Sequence, residues 1–586
     1  DFTFVIGQNI NVSENDFVRK PFLRYRKTVK SNNFILVVDS DKENFPVFNL
    51  IEGDKIKFII FGEIYSYRGI CKSKENILSE LVTDYKNGCF DPLGLNGQFN
   101  IIVIDSGKNE ILFYTDPLGS MHAYKLQEDD KKIVLSSDYY SISRFLKERQ
   151  LDWDSLSCLF GADYFLGLKT FFKGIEIIPP ATELKIRSPG VLKRRYFQLR
   201  YSPHENADYH SLIEEYSEAF RSAVNLRLQR QGKEKICIGI SGGLDSRQIA
   251  SFLPENHEVE AFSYGYSKDS IELYIARSLA EALKIPFTPY VISKDYLFNK
   301  IKDVVRTNEG FCGFTYQRQA DIVGILKESY SYFLGGLAGD IFLSDLRFPD
   351  GTVSLKEYQY GKIINDNSLG WFYNNLLNKF IKGSAKDIVK DNIMQNLDCI
   401  QEPDSGFKSK LFSLEQRLFR WSYAGSRIFQ LGVFPRMVFF DRRLLDFYCK
   451  IDKRYLKNRR FQIDVIKYNN PRAARVRRQG YIGNLYTMQY QKSLHIPARV
   501  IEKISRVGRR ILFGKAVEEN YQQQLLHREG KAGLINYFSA PLKIYQFIGR
   551  EDAKSLIDNF YKNPRDNHLT LTRLLTFSQW LELYYE

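Results

Sequence analysis

Ile236-Cys237-Ile238-Gly239-Ile240 runs directly into Ser241-Gly242-Gly243-Leu244-Asp245-Ser246-Arg247, and the reading of the fold turns on that junction. The first five residues have the apolar, β-branched pattern of a short buried strand, and Ile249, Ala250 and Phe252 beyond the glycines begin a helical stripe. A strand, a Gly/Ser turn and a helix in that order form an anion site. Glycine lets the backbone approach closely, and the free N–H groups with the helix N-terminus supply positive potential. Ser241 and Ser246 add hydroxyls, and Asp245 among phosphates makes sense as a ligand of Mg²⁺. The loop contains neither G-x-x-x-x-G-K-[ST] nor G-x-G-x-x-G.

Working outward, a helix is expected from Tyr209 to Gln229, a second strand over Val259–Gly265 and a helix over Ile271–Leu283. That alternation implies a parallel sheet with its ligand at the strand C-termini. A third element repeats the pattern: Tyr332-Phe333-Leu334 meets Gly335-Gly336-Leu337-Ala338-Gly339-Asp340, and Asp340 becomes the natural second carboxylate for one magnesium–phosphate group. The first two hundred residues read differently. Phe34–Val38, Ile56–Phe61, Phe99–Ile104 and Ile111–Tyr114 are short strand-like runs separated by turn signals, with one helix at Lys74–Lys86. Strand-rich sequence with few helices suggests stacked sheets. Polar, aperiodic Tyr201–Asp208 reads as a linker, which divides the chain into 1–200 and 209–586.

The chain has 586 residues, with 84 Lys+Arg against 69 Asp+Glu, a formal charge of +15. The excess is local. Residues 450–531 contain 20 Lys+Arg and 6 Asp+Glu, so this one segment carries +14. Such a pattern points to a local anionic partner rather than a generally basic protein. No nucleic-acid-binding motif accompanies the charge, which argues against nucleic acid. Within the segment, residues 498–513 are amphipathic: Val500, Ile504, Val507 and Ile511 share one face, with Arg499, Lys503, Arg506 and Arg510 on or beside the other. Such a helix packs on a core or lies on an anionic membrane surface. Arg459, Arg460, Arg472, Arg475, Arg477 and Arg478 are candidates to line the mouth of a phosphate site. The seven cysteines are scattered without a C-x-x-C pair, and no apolar run reaches the roughly 18–20 residues of a membrane span. A cytoplasmic protein is expected, with peripheral contact at the inner membrane surface left open.

Ser241–Ser246 resembles the pyrophosphate loop of the asparagine synthetase family of N-type ATP pyrophosphatases. Gly335–Asp340 resembles that family's second glycine–aspartate loop, and Phe434-Pro435-Arg436-Met437-Val438-Phe439-Phe440-Asp441 its later R-x-P-F-x-D segment. The similarity extends backward in family order. It takes in Phe61-Gly62-Glu63-Ile64-Tyr65-Ser66-Tyr67, Leu95-Asn96-Gly97-Gln98-Phe99, Asp116-Pro117-Leu118-Gly119, and Thr170–Ile175 followed by Pro179-Pro180. The resemblance implies an α/β plus α+β chain. Residues 1–200 would be an Ntn-hydrolase-like αββα sandwich and residues 209–586 a parallel-sheet ATP pyrophosphatase domain with a helical C-terminal extension. It implies ATP and Mg²⁺ as cofactors. Ser241, Gly242, Gly243, Leu244, Asp245, Ser246, Ser263, Gly265, Gly335 and Gly336 would bind the nucleotide, Asp245 and Asp340 the metal, and Asp245, Asp340 and Arg436 would be catalytic.

The departures shape the expected function. Family glutaminases begin with a nucleophilic cysteine, where this sequence has Asp1. The asparagine of N-G-E, an oxyanion donor, is Phe61, which cannot donate. The family's H-R-G-P-D segment has no counterpart between Pro21 and Pro46, so no glutaminase activity is expected. A glutamate three residues before the second loop's aspartate is Leu337, and its partner lysine has no clear match, Lys467 being out of register. The resemblance therefore implies an AMP- and pyrophosphate-forming amide-bond ligase acting on a small-molecule, sugar or peptide carboxylate. Free ammonia or a partner protein would supply the nitrogen where it is needed. A surface-glycan sugar, a macrolactam closure like that of lasso-peptide cyclases and β-lactam synthetases, and a non-catalytic nucleotide-binding scaffold all stay open.

Overall fold

The computed structural model describes residues 1–7, 12, 16–17, 23–40, 48–52, 55–69, 74–129, 132–187, 190–230, 234–293, 295–346, 348, 353–479, 483–487 and 520–585. The early strands are β1 (Phe2–Gly7), β2 (Tyr25–Ser31), β3 (Phe34–Ser40), β4 (Phe48–Glu52), β5 (Ile56–Tyr67) and β6 (Leu95–Asp105). They continue with β7 (Glu110–Thr115), β8 (Tyr124–Asp129), β9 (Lys132–Ser136), β10 (Ile175–Ile177), β11 (Thr182–Arg187) and β12 (Gly190–Arg195). They form two antiparallel sheets, ordered β10-β8-β9-β1-β3-β2 and β12-β11-β7-β6-β5-β4. Strand alternation explains how both stack. On β5, Ile59 and Phe61 face the other sheet and meet Phe2, Phe4 and Leu36, while Phe58 and Ile60 point outward under Ile77, Leu81 and Tyr85 of the helix Lys74–Lys86. Val5, Ile35 and Val37, on the opposite parity of the first sheet, join the core that includes the helix Trp153–Ala162. Helix, sheet, sheet and helix layers are the expected αββα sandwich.

After Tyr201–Asp208, which contains no helix or strand, comes the helix Tyr209–Arg227, capped by the Asp208 carboxylate on Ser211 N. The stretch before it is fastened: Ser202 N donates to Cys449 O and His204 N to Lys450 O. Five parallel strands follow: β13 (Ile236–Gly239), β14 (Glu260–Gly265), β15 (Phe287–Val291), β16 (Tyr332–Gly335) and β17 (Phe434–Met437). Their spatial order, β15-β14-β13-β16-β17, grows one way from β13 and then restarts on its other side. The reversal lies between β13 and β16, and ligands of open α/β sheets bind outside the strand C-termini at such a switch point. The C-terminal region is helical and ends in Pro564–Tyr584, whose Trp580 stacks on Phe171 with centroids 3.9 Å apart. The last helix thus packs against residues of the first two hundred. Among the described residues no helix is long and apolar enough to cross a membrane.

Candidate active site

The switch point brings both glycine-rich loops together. Ile238 of β13 pairs with Leu334 of β16, so the chain leaves both strands at the same level, into Ser241–Ser246 on one side and Gly335–Asp340 on the other. Within the first loop, Ser241 N donates to Ser246 Oγ at 3.0 Å and Gly243 N to Ser241 Oγ at 3.2 Å, which curls the turn on itself. The helix Asp245–Ser251 has no side-chain cap. The second loop needs its small residues for the approach. A Cβ at Gly336 would stand 3.2 Å from Ser246 N, and one at Gly339 only 2.7 Å from Asp245 Oδ1. Ala338 between them adopts φ 70°, a left-handed conformation that costs a non-glycine residue about 1–2 kcal/mol.

Asp245 Oδ1 accepts from Gln462 Nε2 at 2.9 Å and from the Arg459 guanidinium, which also reaches the Gln462 amide oxygen. No hydrogen bond among the described residues uses Asp245 Oδ2, and Asp340 has no hydrogen-bond or ion-pair partner there. Burial pushes the Asp245 carboxyl up; the Arg459 charge opposes this, and the Asp340 charge adds to it. Two carboxylates that repel each other, with oxygens still available, suit a divalent cation shared with phosphate oxygens. The donor set therefore fits Mg²⁺ held by Asp245 and Asp340 beside a nucleotide.

Two cavities flank the second loop. The smaller, about 340 Å³, is lined by Ser241, Ser263, Gly335, Gly336 and Leu337 together with Phe262, Tyr264, Trp421 and Phe429. The larger, about 1440 Å³, begins at Asp340 and Ile341 and runs to Lys410, Arg417, Lys457 and Arg459. A π-helical stretch, Ser413–Ser422, walls both, with Arg417 toward the large cleft and Trp421 toward the small one.

Several expected site residues lie elsewhere. Gly242 is tucked beneath Gln479, whose N–H donates to Gly242 O at 3.0 Å. Gly243, Leu244, Asp245 and Ser246 are in the loop but line neither cavity, so of the two aspartates only Asp340 faces one directly. Gly265 sits past the site, where a Cβ would stand 2.6 Å from Ser270 Oγ. Arg436 is a correction. It is 4% exposed, its Nε and Nη2 donate to Glu63 at 2.7 Å each, and its Nη1 donates to the carbonyls of Arg227 and Gln229 at 2.8 Å. Every guanidinium nitrogen is committed inside the protein and none faces either cavity, so Arg436 is a packing and positioning residue rather than a catalytic one. Of the arginine cluster, Arg459, Arg460 and Arg478 line the large cleft and Arg472, Arg475 and Arg477 do not. Residues 498–513 lie outside the described residues.

Sequence reasoning missed three features. Arg247, fully buried, donates to the carbonyls of Ala473, Val476 and Arg477 and so lashes the early basic segment across the first loop. Its position directly after Asp245-Ser246 was a signal, but its partners lie over 220 residues away. Lys410 is buried at the cleft wall, its Nζ donating to Phe342 O at 2.9 Å and Ser344 O at 3.0 Å, and burial, then the Arg459 charge, pushes its amine down to about 7. Third, the motifs on β5 and β6 dock the two halves. Gln98 Oε1 accepts from Met437 N at 2.7 Å, and Asn96 Nδ2 donates at 2.8 Å to Asp441, which is paired with fully buried Arg227 at 2.7 Å.

Residues 215–342 match the family model described as asparagine synthase. No curated protein matches the chain significantly. Solved structures that resemble it include a glutamine phosphoribosylpyrophosphate amidotransferase from B. subtilis, at 13% identity over 49% of this chain and 59% of that one, with a TM-score of 0.18. The match thus spans less than two thirds of that enzyme's length. An NH3-dependent NAD synthetase from Campylobacter jejuni resembles it at 18% identity over 36% of this chain and 96% of that one, TM-score 0.19. An NMN synthetase from Francisella tularensis does so at 17% over 35% and 93%, TM-score 0.18.

Proposed function

We propose, from the premise that residues 215–342 form an asparagine synthase domain, a type found in ATP-dependent ligases, that this chain is an AMP- and pyrophosphate-forming amide-bond ligase without its own glutaminase. The observation that carries the reading is the convergence of Ser241–Ser246 and Gly335–Asp340 at the sheet's switch point, with Asp245 and Asp340 repelling each other across it. The apolar small cavity has the size and the flat side chains, Tyr264 and Phe429, to hold an adenine, with Ser263 and Ser241 toward the sugar and phosphates. Mg²⁺ on Asp245 and Asp340 would neutralise phosphate charge. The substrate carboxylate oxygen attacks the α-phosphorus of ATP and pyrophosphate leaves. An amine then attacks the carbonyl carbon of the acyl-adenylate and AMP leaves. The chain orients these groups and screens the phosphate charge, which is where catalysis of such transfers resides.

The absent glutaminase is supported by Phe61. Its ring stacks on Phe2 with centroids 4.3 Å apart, so a hydrocarbon stands where a donor to an oxyanion is required. The amine therefore comes from the substrate itself, from free ammonia or from a partner protein. A carboxylate-bearing cell-surface glycan sugar is one candidate substrate. The 1440 Å³ cleft favours, as a second reading, a peptide closed into a macrolactam. Peripheral membrane contact through 498–513 is tested separately by flotation with anionic liposomes.

ATP–pyrophosphate exchange measured with Mg²⁺ across sugar acids and peptide carboxylates tests the assignment. Exchange dependent on the acid and abolished in Asp245→Asn is expected. Exchange unchanged in that variant overturns the mechanism. Mg·ATP binding without exchange for any acid leaves a nucleotide-binding scaffold.

A further inference from the structure

The large cleft is far more cationic than a carboxylate–amine reaction requires. Eight lysine and arginine side chains line it against three aspartates. Some of that charge is matched locally: Arg454 pairs with Asp452 at 2.9 Å, Arg460 with Asp464 at 3.6 Å and Arg459 with Asp245. Three cations are not. Arg417 and Lys457 are exposed to the cleft and have no carboxylate partner among the described residues. Lys410 is buried and has no ion pair among the described residues; its ammonium donates to two carbonyls, and the Asp345 carboxylate acts on it only at longer range. A buried ammonium without a close ion pair is costly, and an anion arriving beside it relieves that cost. The cleft also lies apart from the nucleotide's pocket. Loop 335–340 separates them, with Gly335 and Gly336 facing the small cavity and Asp340 facing the large one.

We propose that this cleft receives the acid substrate, and that the substrate carries a phosphate or further carboxylate group besides the carboxylate that is activated. The reacting carboxylate lies at the Asp340 edge, nearest the nucleotide phosphates. The second anion lies away from that edge, toward Lys410, Arg417 and Lys457. This rests on the ligase reading for which end reacts, but the cleft's preference for an anion stands on its own residues.

The test uses the full chain saturated with Mg²⁺ and the non-hydrolysable α,β-methylene analogue of ATP, so that the nucleotide's own phosphate contacts are filled. Inorganic phosphate, tricarballylate and the neutral tricarballylic triamide are titrated by calorimetry. One or both anions are expected to bind and the triamide not, and the stronger anion tells a phosphorylated substrate from a polycarboxylate. Arg417→Glu/Lys457→Glu, on exposed positions that should not disturb folding, is expected to weaken the anion by about tenfold or more while the nucleotide analogue's affinity stays within about threefold. Binding of neither anion, equal binding of the triamide, or anion binding unaffected by the double variant overturns the proposal. Anion binding in a chain that fails to bind the nucleotide analogue would refute the ligase reading and leave the cleft assignment intact.

Discussion

Arg436→Met separates a packing role for Arg436 from a catalytic one. The substitution keeps most of the volume and removes a charge whose partner, Glu63, is itself only 8% exposed. Breaking a buried ion pair by deleting one member costs about 3–5 kcal/mol, because the other charge stays behind without compensation. Two further losses push toward the top of that range: the carbonyls of Arg227 and Gln229 lose their donor, and Tyr332 loses a guanidinium 3.4 Å from its ring centroid. Against a total stability of about 5–15 kcal/mol this is a severe loss, carried by the contact between β5 and β17. Urea unfolding followed by tryptophan fluorescence and circular dichroism measures it, and coincidence of the two probes checks that a single transition is being read. Glu63→Gln/Arg436→Met should recover part of the loss, since no buried carboxylate is stranded, and the cycle should show a coupling of about 1–3 kcal/mol. Mg·ATP affinity, measured at low temperature on the folded fraction, should change little. A variant as stable as the parent that has lost acid-dependent exchange would refute this reasoning and return Arg436 to the chemistry.

Gly339→Ala puts a methyl 2.7 Å from Asp245 Oδ1 and from the Phe439 ring, so Mg·ATP affinity should fall by about tenfold or more in calorimetry; unchanged affinity means the loops need not approach so closely. Lys410 has a folded value of about 7 against roughly 10.4 unfolded, so between those pH values the unfolded chain binds the extra proton and the residue's contribution rises with pH by about 1.4 kcal/mol per unit, with a constant penalty below about 7. The parent should therefore gain stability relative to Lys410→Met from pH 7 to 9 in urea titrations, and a pH-independent difference would contradict it. Arg247→Met removes the donor shared by Ala473, Val476 and Arg477, and trypsin should then cut sooner around Arg475–Arg478; an unaltered cleavage rate means that this strap is held by other contacts.

The parts of the fold legible in the sequence are those written in local pattern. The bounds Lys74–Lys86 and Ile271–Leu283 hold in the structure because their apolar positions recur at helical spacing and their ends are marked, Ser270 capping the second by accepting from Leu273 N. The first loop is legible because glycines set between a buried strand and a helix leave the backbone little role besides a close approach to a ligand. What stays hidden depends on partners far along the chain. Arg436 and Glu63 are 373 residues apart, and nothing near either one announces the pair. The motif around Arg436 resembles a site, yet its residues serve the contact between halves, as Glu63, Asn96 and Gln98 do on the other side. The last helix gives no amphipathic signal because it is buried almost all round: Leu571, Leu574, Phe577, Trp580 and Leu581 share the core with Thr570, Thr572 and Ser578.

The concentration of positive charge in residues 450–531 resolves into distinct pieces. Ala473–Gln479 is backbone cover for the first loop, held by Arg247 through the carbonyls of Ala473, Val476 and Arg477 and by Gln479 N on Gly242 O. Lys457–Arg460 is a strained turn. Asn458 and Arg459 take φ 55° and 62°; asparagine tolerates the left-handed region, while Arg459 there costs about 1–2 kcal/mol. They stay there because Asp345 accepts from Asn458 N at 2.6 Å and Asp245 holds the Arg459 guanidinium. Strain held at a ligand site requires compensation from the contacts it creates, and here it delivers one cation to Asp245 and leaves Lys457 facing the cleft. The turn thus links the large cleft to the first loop's carboxylate. It touches the carboxylate suited to the metal at one end and the unmatched cations of the large cleft at the other. Loosening it by Asn458→Gly, which frees the backbone at that one position without altering charge, should therefore change anion binding in the cleft far less than Arg417→Glu/Lys457→Glu. Equal effects in calorimetry would mean that the shape of the turn, and not its charge, governs the cleft.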